Sequence, residues 1–341
     1  MPKRPHHLAL HLHRRVPDGA YRRGLLFLLG VGLPFLFGLA LRNPAGALLG
    51  AMTGLILSFG DDDGALRRRL ILLVYIAGGV ALGGAIGILL HGFAWPIWIV
   101  FALGTFASGW FLGVGKAQTL AARFGSMALV VTSGAPEFHV GELGFAASAV
   151  LCIALLRTID HLAFGPLAQQ KPRPRRVPSG GWLRFALAYA AAACGSLAIG
   201  VAVDPGRALW VVVTTLVVMQ PDARASYVLI VQRIGGTVLG VVAAYAVTSF
   251  VQPHWAILAL ALAVAALIPH HLQNRYWLHT ALIAVLVLLI YDLGSNDPRI
   301  VAGLFVERLQ DVLLGGGIAL LGTLVAFPRN PPEEPADPVS G

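Results

Sequence analysis

The chain has 341 residues, of which 57% are hydrophobic and only 12% charged, with a mean hydropathy of +0.76. Soluble domains carry roughly a quarter charged residues, so this composition excludes a soluble fold and calls for an integral membrane protein. The net charge of +9 is not a nucleic-acid footprint, because Lys and Arg fall in short loops between apolar runs and not on one soluble face.

Residues 1–24 mix Arg14, Arg15, Arg22 and Arg23 with His6, His7, His11 and His13. They are expected to form a basic cytoplasmic arm at the membrane interface, and the histidines lack the carboxylate or cysteine companions of a metal site. The run 25–41 is followed by Arg42-Asn43-Pro44 with no small-residue cleavage site, so it is expected to be a first spanning helix and not a signal peptide. A span needs roughly 20 apolar residues, with shorter runs at broken segments. On that basis helices are predicted at 25–41, 44–59, 70–90, 95–114, 119–133 and 142–164, then at 182–203, 207–219, 226–250, 254–269, 275–291 and 300–327.

The expected fold is therefore an all-α integral membrane protein of about twelve transmembrane helices. The stretch 119–133, interrupted by Gly125, Ser126, Thr132 and Ser133, is either a span or a re-entrant segment. Arg67, Arg68, Arg69, Lys116, Arg123, Lys171, Arg173, Arg175, Arg176, Arg224 and Arg275 fall on one side of this topology, against chiefly Arg42, Arg207 and Arg299 on the other. The positive-inside rule then places both termini in the cytoplasm. Residues 171–181 (KPRPRRVPSGG) form a basic linker between a membrane block at 25–170 and another at 182–328, and the acidic, proline-rich 329–341 is expected to be disordered. Cys152 and Cys194 lie inside apolar runs, so neither a disulfide framework nor a cysteine metal site is expected.

The two blocks align. Asn43-Pro44-Ala45-Gly46-Ala47-Leu48 falls on Asp204-Pro205-Gly206-Arg207-Ala208-Leu209, and without a gap Thr53, Leu55 and Asp61 fall on Thr214, Leu216 and Asp222. After four extra residues in the first loop, Gly78, Gly79, Leu82 and Gly83 meet Gly235, Gly236, Leu239 and Gly240; Arg123-Phe124 meets Arg275-Tyr276, and Arg157-x-x-Asp160 meets Arg308-x-x-Asp311. Six helices per block is an even number, so the reading is a parallel duplication about an axis along the membrane normal. Arg157 and Arg308 disagree in depth: the first sits near the cytoplasmic end of its helix, the second in the outer half of its own.

No nucleotide or catalytic motif is present. Gly113-Val114-Gly115-Lys116 lacks the first phosphate-loop glycine, which falls on Trp110, and neither a serine-nucleophile elbow nor a zinc-protease motif occurs, so no enzyme and no cofactor are expected. Gly79, Gly83 and Gly87, like Gly236 and Gly240, recur every four residues and form smooth stripes, which predicts that the third and ninth helices pack together centrally. Ionisable residues within spans must face a cavity or pair. They are Arg157, Asp160 and His161, then Arg233, His279, Glu307, Arg308 and Asp311. Arg308 and Asp311, three apart, share a helical face and are expected to neutralise each other, as Glu307 and Asp311 share one at four apart. An excess carboxylate suits a proton relay, with Asp311, Glu307 and Asp160 as candidates, and the arginines suit an anionic substrate.

Pro221, then Arg233-x-x-Gly236-Thr237-x-x-Gly240, then Arg308-x-x-Asp311 with Gly315 resembles the membrane domain of the fusaric acid resistance and aromatic acid exporter family. Plant aluminium-activated malate channels are more distant members of that group. The resemblance is strongest over 204–327. It implies a multi-pass protein of the bacterial inner membrane that exports aromatic carboxylates, often with a periplasmic adaptor, and it selects Arg233, Thr237 and Arg308 as substrate-binding candidates. Larger members carry soluble cytoplasmic domains, where this chain has only a short linker and tail. Ile76 and Val80 stand in the first block where Arg233 and Thr237 stand in the second, so the first block is expected to be a scaffold. The expected function is proton-coupled export of small organic anions. A passive anion channel and a non-transporting membrane anchor subunit are the alternatives, and the expected partners are lipid, the anion, the adaptor and further copies of the chain.

Overall fold

The computed structural model describes residues 19–62, 64–134, 140–166, 180–251, 253–271, 275–294 and 298–327. The basic arm to residue 18, linker residues 171–179 and the tail from 328 lie outside the described residues. The helices are α1 (Ala20–Ala40), α2 (Pro44–Phe59), α3 (Leu66–Leu89), α4 (Ala94–Phe111), α5 (Lys116–Gly134), α6 (Val140–Phe164), α7 (Gly180–Val203), α8 (Ala208–Val218), α9 (Ala223–Phe250), α10 (His254–His271), α11 (Tyr276–Gly294) and α12 (Pro298–Ala326), with a 3-10 turn at Pro205–Arg207 before α8. Seven of them, α1, α3, α6, α7, α9, α11 and α12, are long and apolar enough to cross a membrane, while α2, α4, α8 and α10 are apolar but shorter. The doubtful 119–133 is one continuous 19-residue helix, α5, whose polar side chains are absorbed locally: Thr119, Ser126 and Thr132 each donate to a carbonyl one turn back.

Local chemistry sets the joints. Asn43 caps α2 by accepting from Gly46 N at 2.7 Å with Pro44 at the first helical position, and Asp204 accepts from Gly206 N at 2.9 Å with Pro205 in the equivalent place. Arg22, early in α1, donates to carbonyls at the end of α6, and Arg184, early in α7, donates to Val325 O at the end of α12. Within the first six helices α1 packs on α2 and α6, α2 on α6, and α5 on α3 and α4; adding six to each number gives the packing of the second six. Between the blocks α1 meets α10 as α4 meets α7, and α2 meets α11 as α5 meets α8.

Two of the three apolar cores cross the block boundary. One runs from Phe27, Phe35 and Ala51 to Ile257, Ile268 and Leu286, the other from Phe101 and Met127 to Tyr189, Leu216 and Met219. The outer faces present Val74 and Leu82 of α3, Leu151 and Leu155 of α6, and Val231 and Val242 of α9, the apolar exterior that a bilayer requires.

The glycine stripes do not join α3 to α9. A Cβ on Gly79 or Gly83 would strike the carbonyl of Ala121 or Gly125 in α5, and one on Gly236 or Gly240 would strike that of Trp277 or Ala281 in α11. Each stripe therefore seats the third helix of its block on the fifth. Close backbone approach is a property of facing surfaces, and spacing along one helix does not name the partner. Valine at Gly83 or Gly240 overpacks these seams and is expected to lower stability by about 1–3 kcal/mol, read as a lower thermal midpoint in detergent. Alanine at Gly78 or Gly235, where an added Cβ meets nothing within 4 Å, should leave that midpoint unchanged or raised.

Candidate functional site

Two charged clusters form at opposite ends of the bundle. The first gathers the starts of α1 and α3 with the ends of α2 and α6. Arg69, fully buried, donates from Nε and Nη2 to both oxygens of Asp61, at 2.9 and 2.6 Å, and from Nη1 to Asp160 Oδ2 at 2.6 Å. Arg22 Nη2 reaches the same Asp160 oxygen at 2.8 Å while its Nε donates to Oδ1. Arg157, only 2% exposed, donates to the carbonyls of Arg69 and Leu57 at 2.8 Å each, with its Nε 3.3 Å from Asp61. Lys116, the lysine of the incomplete phosphate-loop sequence, donates to the Asp61 carbonyl at 2.9 Å. Burial pushes the Asp61 carboxyl up, but the Arg69 hydrogen bonds and the charges of Arg157 and Arg69 outweigh it and hold the group below its ordinary value.

The second cluster joins the start of α8 to α12, with α9 and α11 alongside. The expected Arg308–Asp311 pair does not form. Asp311, 1% exposed, accepts from Arg207 Nη2 at 2.9 Å through Oδ1, and its Oδ2 is buried without a hydrogen-bond partner. Arg308 instead lies over the Trp210 ring, 3.3 Å from its centroid. Its electrostatic neighbours are Tyr291, the like charge of Arg233, and Asp311. Arg233 is half-buried on α9 with its Nε unpartnered, and Thr237, one turn on, is buried. Glu307 is partly exposed, with its carboxylate 3.8 Å from Arg207 Nε. Arg233 and Arg308 each lie ten residues into a long helix, so both sit about 15 Å from the helix start at 1.5 Å per residue.

The structure thus brings Arg233, Arg308, Glu307 and Asp311 into one region and leaves Asp160 at the other end, with both oxygens engaged by guanidinium groups. A relay carboxylate needs an oxygen open to another donor, and Asp160 has the geometry of a clamp. Arg157 and Asp160 lie in the last third of α6, whereas Arg308 and Asp311 lie near the middle of α12. Ile76, at the position of Arg233, is fully buried in the α2–α3–α6 core. Sequence reading missed Arg207, Trp210, Tyr291, Arg22 and Arg69 as partners. No local signal marks them, since Arg207 and Asp311 are 104 positions apart and Arg69 and Asp160 are 91 apart. Among the described residues no group of three or more His, Cys, Asp or Glu is placed to hold a metal ion.

Residues 185–322 match the family model described as fusaric acid resistance protein-like. The second block is similar to that family. An uncharacterized protein of Haemophilus influenzae is 32% identical over 120 residues, which cover 35% of this chain and 16% of that protein. This chain therefore spans about a sixth of the length of the curated relative it matches. No solved structure matches. Arg207, Trp210, Arg233, Thr237, Arg308 and Asp311 all fall inside the fusaric acid resistance protein-like segment, while the Arg69 clamp falls outside it.

Removing Arg69 leaves the buried Asp160 and the partly buried Asp61 each short of a partner, so Arg69→Ala should cost about 3 kcal/mol. Arg68→Ala, at a side chain 62% exposed, should change the detergent thermal midpoint by less than about 0.5 kcal/mol equivalent. The Asp61 pairing also sets a pH limit. Its folded-state value lies below the ordinary 3.8, so its stabilisation is complete above that value and is lost as pH falls below it through the lowered value. A midpoint series between about pH 6 and pH 3 should show this fall at the acid end, and Asp61→Asn should flatten it.

Proposed function

We propose that the protein is a transporter that exports small organic anions, aromatic carboxylates among them, across the bacterial inner membrane in a proton-coupled cycle. The observation that carries this reading is Arg308. It is a guanidinium deep in an apolar helix, stacked on Trp210, with Asp311 given to another arginine and a second cation, Arg233, in electrostatic range. A carboxylate arriving there would accept charge-assisted hydrogen bonds, and an aromatic body would find ring surface beside them. Arg233, Arg308 and Thr237 are the substrate-binding positions in this reading. The unpartnered Oδ2 of Asp311 is the position for a travelling proton, with the partly exposed Glu307 as its link to water.

The packing that recurs six helices on supports a parallel duplication, and the basic end that holds Arg67, Arg68, Lys116 and Arg224 would face the cytoplasm. A periplasmic adaptor and further copies of the chain are the protein partners of this reading. A passive anion channel is favoured by one observation, the excess of guanidinium groups over carboxylates in the second cluster.

Uptake of benzoate into inverted vesicles discriminates. Coupled export predicts uptake that collapses with a protonophore and with Asp311→Asn. Arg233→Ala and Arg308→Ala should each lower it about tenfold, the loss of one charge-assisted hydrogen bond of about 1.5 kcal/mol. A reversal potential in planar bilayers that follows the benzoate gradient and ignores pH would establish the channel instead. Unchanged uptake in both arginine variants would remove the site.

A further inference from the structure

Arg308 and Asp311 are three residues apart on one helical face, the spacing at which opposite charges ordinarily pair. In this protein they do not, and the start of α8 accounts for it twice. Trp210 offers its ring to the Arg308 guanidinium. Three residues before it, Arg207 takes the carboxylate: one nitrogen, Nη2, donates to Asp311 Oδ1 at 2.9 Å, to the Glu307 carbonyl at 3.0 Å and to Gln310 Oε1 at 3.1 Å, so that it grips a single turn of α12 at three points. Arg207 is itself fixed by the 3-10 turn Pro205–Arg207, which Asp204 caps. With Arg207 holding Oδ1, the buried Oδ2 of Asp311 has no hydrogen-bond partner, so the carboxylate is held in an orientation in which Arg308 does not reach it.

We infer that Arg207 is a positioning residue for the anion site: by holding Asp311 it prevents the local Arg308–Asp311 pair and keeps Arg308 uncompensated over Trp210. Without Arg207, the flexible Arg308 side chain turns one helical step to Asp311, and the site neutralises itself. Among the described residues the cluster sets Arg207, Arg233 and Arg308 against Glu307 and Asp311, an excess of one positive charge. The ligand that completes this balance is a monoanion. The role of Arg207 deepens the anion-transport reading and rests on it for its purpose, but the switch of Arg308 between ring and carboxylate can be read without any ligand.

The test uses the full chain in lipid nanodiscs and two readouts. The first is Trp210 emission, taken as the difference between each protein and the same protein carrying Trp210→Phe. Arg207→Ala should shift that emission to the position seen in Arg308→Ala, and adding Asp311→Asn to Arg207→Ala should return it to the parent position. An unshifted Arg207→Ala, or no difference between the parent and Arg308→Ala, overturns the inference. Should Arg207→Ala not fold, Asp311→Asn and Arg207→Ala/Asp311→Asn decide it, because both lack the competing carboxylate and must share the parent emission; a shift in the double variant alone makes Arg207 a scaffold and overturns the proposal. The second readout is binding of radiolabelled benzoate. Arg207→Ala should weaken it about tenfold, the double variant should recover to within about threefold of the parent, and benzene-1,4-dicarboxylate should compete more weakly than benzoate. Loss of binding in Arg308→Ala with full binding in Arg207→Ala overturns the positioning role. Benzoate binding that ignores Arg308→Ala removes the anion-site reading, while the emission readout still decides whether Arg207 holds Asp311 from Arg308.

Discussion

A guanidinium taken out of water carries a desolvation penalty of several kcal/mol unless its donors meet counter-charge or carbonyl oxygen. This bundle holds arginines at both ends and satisfies that demand in two different ways. Arg69 and Arg157 are matched donor for donor, by two aspartates and by the carbonyls of Arg69 and Leu57. The result joins four helix ends and leaves none of these donors for a ligand. Arg308 is given a ring in place of a carboxylate, and ring stabilisation is worth less than an ion pair at close range. In the anion-transport reading proposed above, that ring-stacked guanidinium is the one that meets the substrate.

The division of labour follows the two blocks. Both use the same helix pairings and the same capped turn before the second helix, with Asn43-Pro44 in one and Asp204-Pro205 in the other. Both seat the third helix on the fifth along glycines that admit a carbonyl where a Cβ would stand. On that common frame the first block places Ile76 in a core, while the second places Arg233 on the corresponding turn. The first block carries the Arg69–Asp61–Asp160 ion pairs, and its α5 also buries Arg123 with Nε and Nη2 unpartnered. The second holds Arg308 on Trp210 with Arg233 nearby and is the part similar to the fusaric acid resistance protein-like family.

Helix number and position were legible because each span is a local run of apolar residues whose length is set by membrane thickness. α5, with its interrupting serine, threonine and glycine residues, is a continuous helix whose hydroxyls donate to carbonyls one turn back, but it is not among the helices apolar enough to count as a span. The identity of charged residues in spans was equally legible, since charge in an apolar run stands out without any structure. Pairings were not. The i to i+3 rule that joins Arg308 to Asp311 describes an isolated helix, and Arg207 overrides it from a turn 104 positions away. The glycine stripes were read as the contact of α3 with α9 for the same reason, because spacing reports a smooth surface and stays silent about what lies on it.

By itself, then, the sequence determined that the chain is an all-helical membrane protein, where its helices lie, that two blocks share a pattern, and which arginines and carboxylates lie within the apolar runs. These depend on composition and on intervals of a few residues, within reach of one helix. The tertiary structure decided which charges cancel. Asp160 became the centre of a clamp, Asp311 became the partner of Arg207, and Arg308 was left on Trp210. Coulomb energy depends on separation in space and on burial, and neither is given by position along the chain.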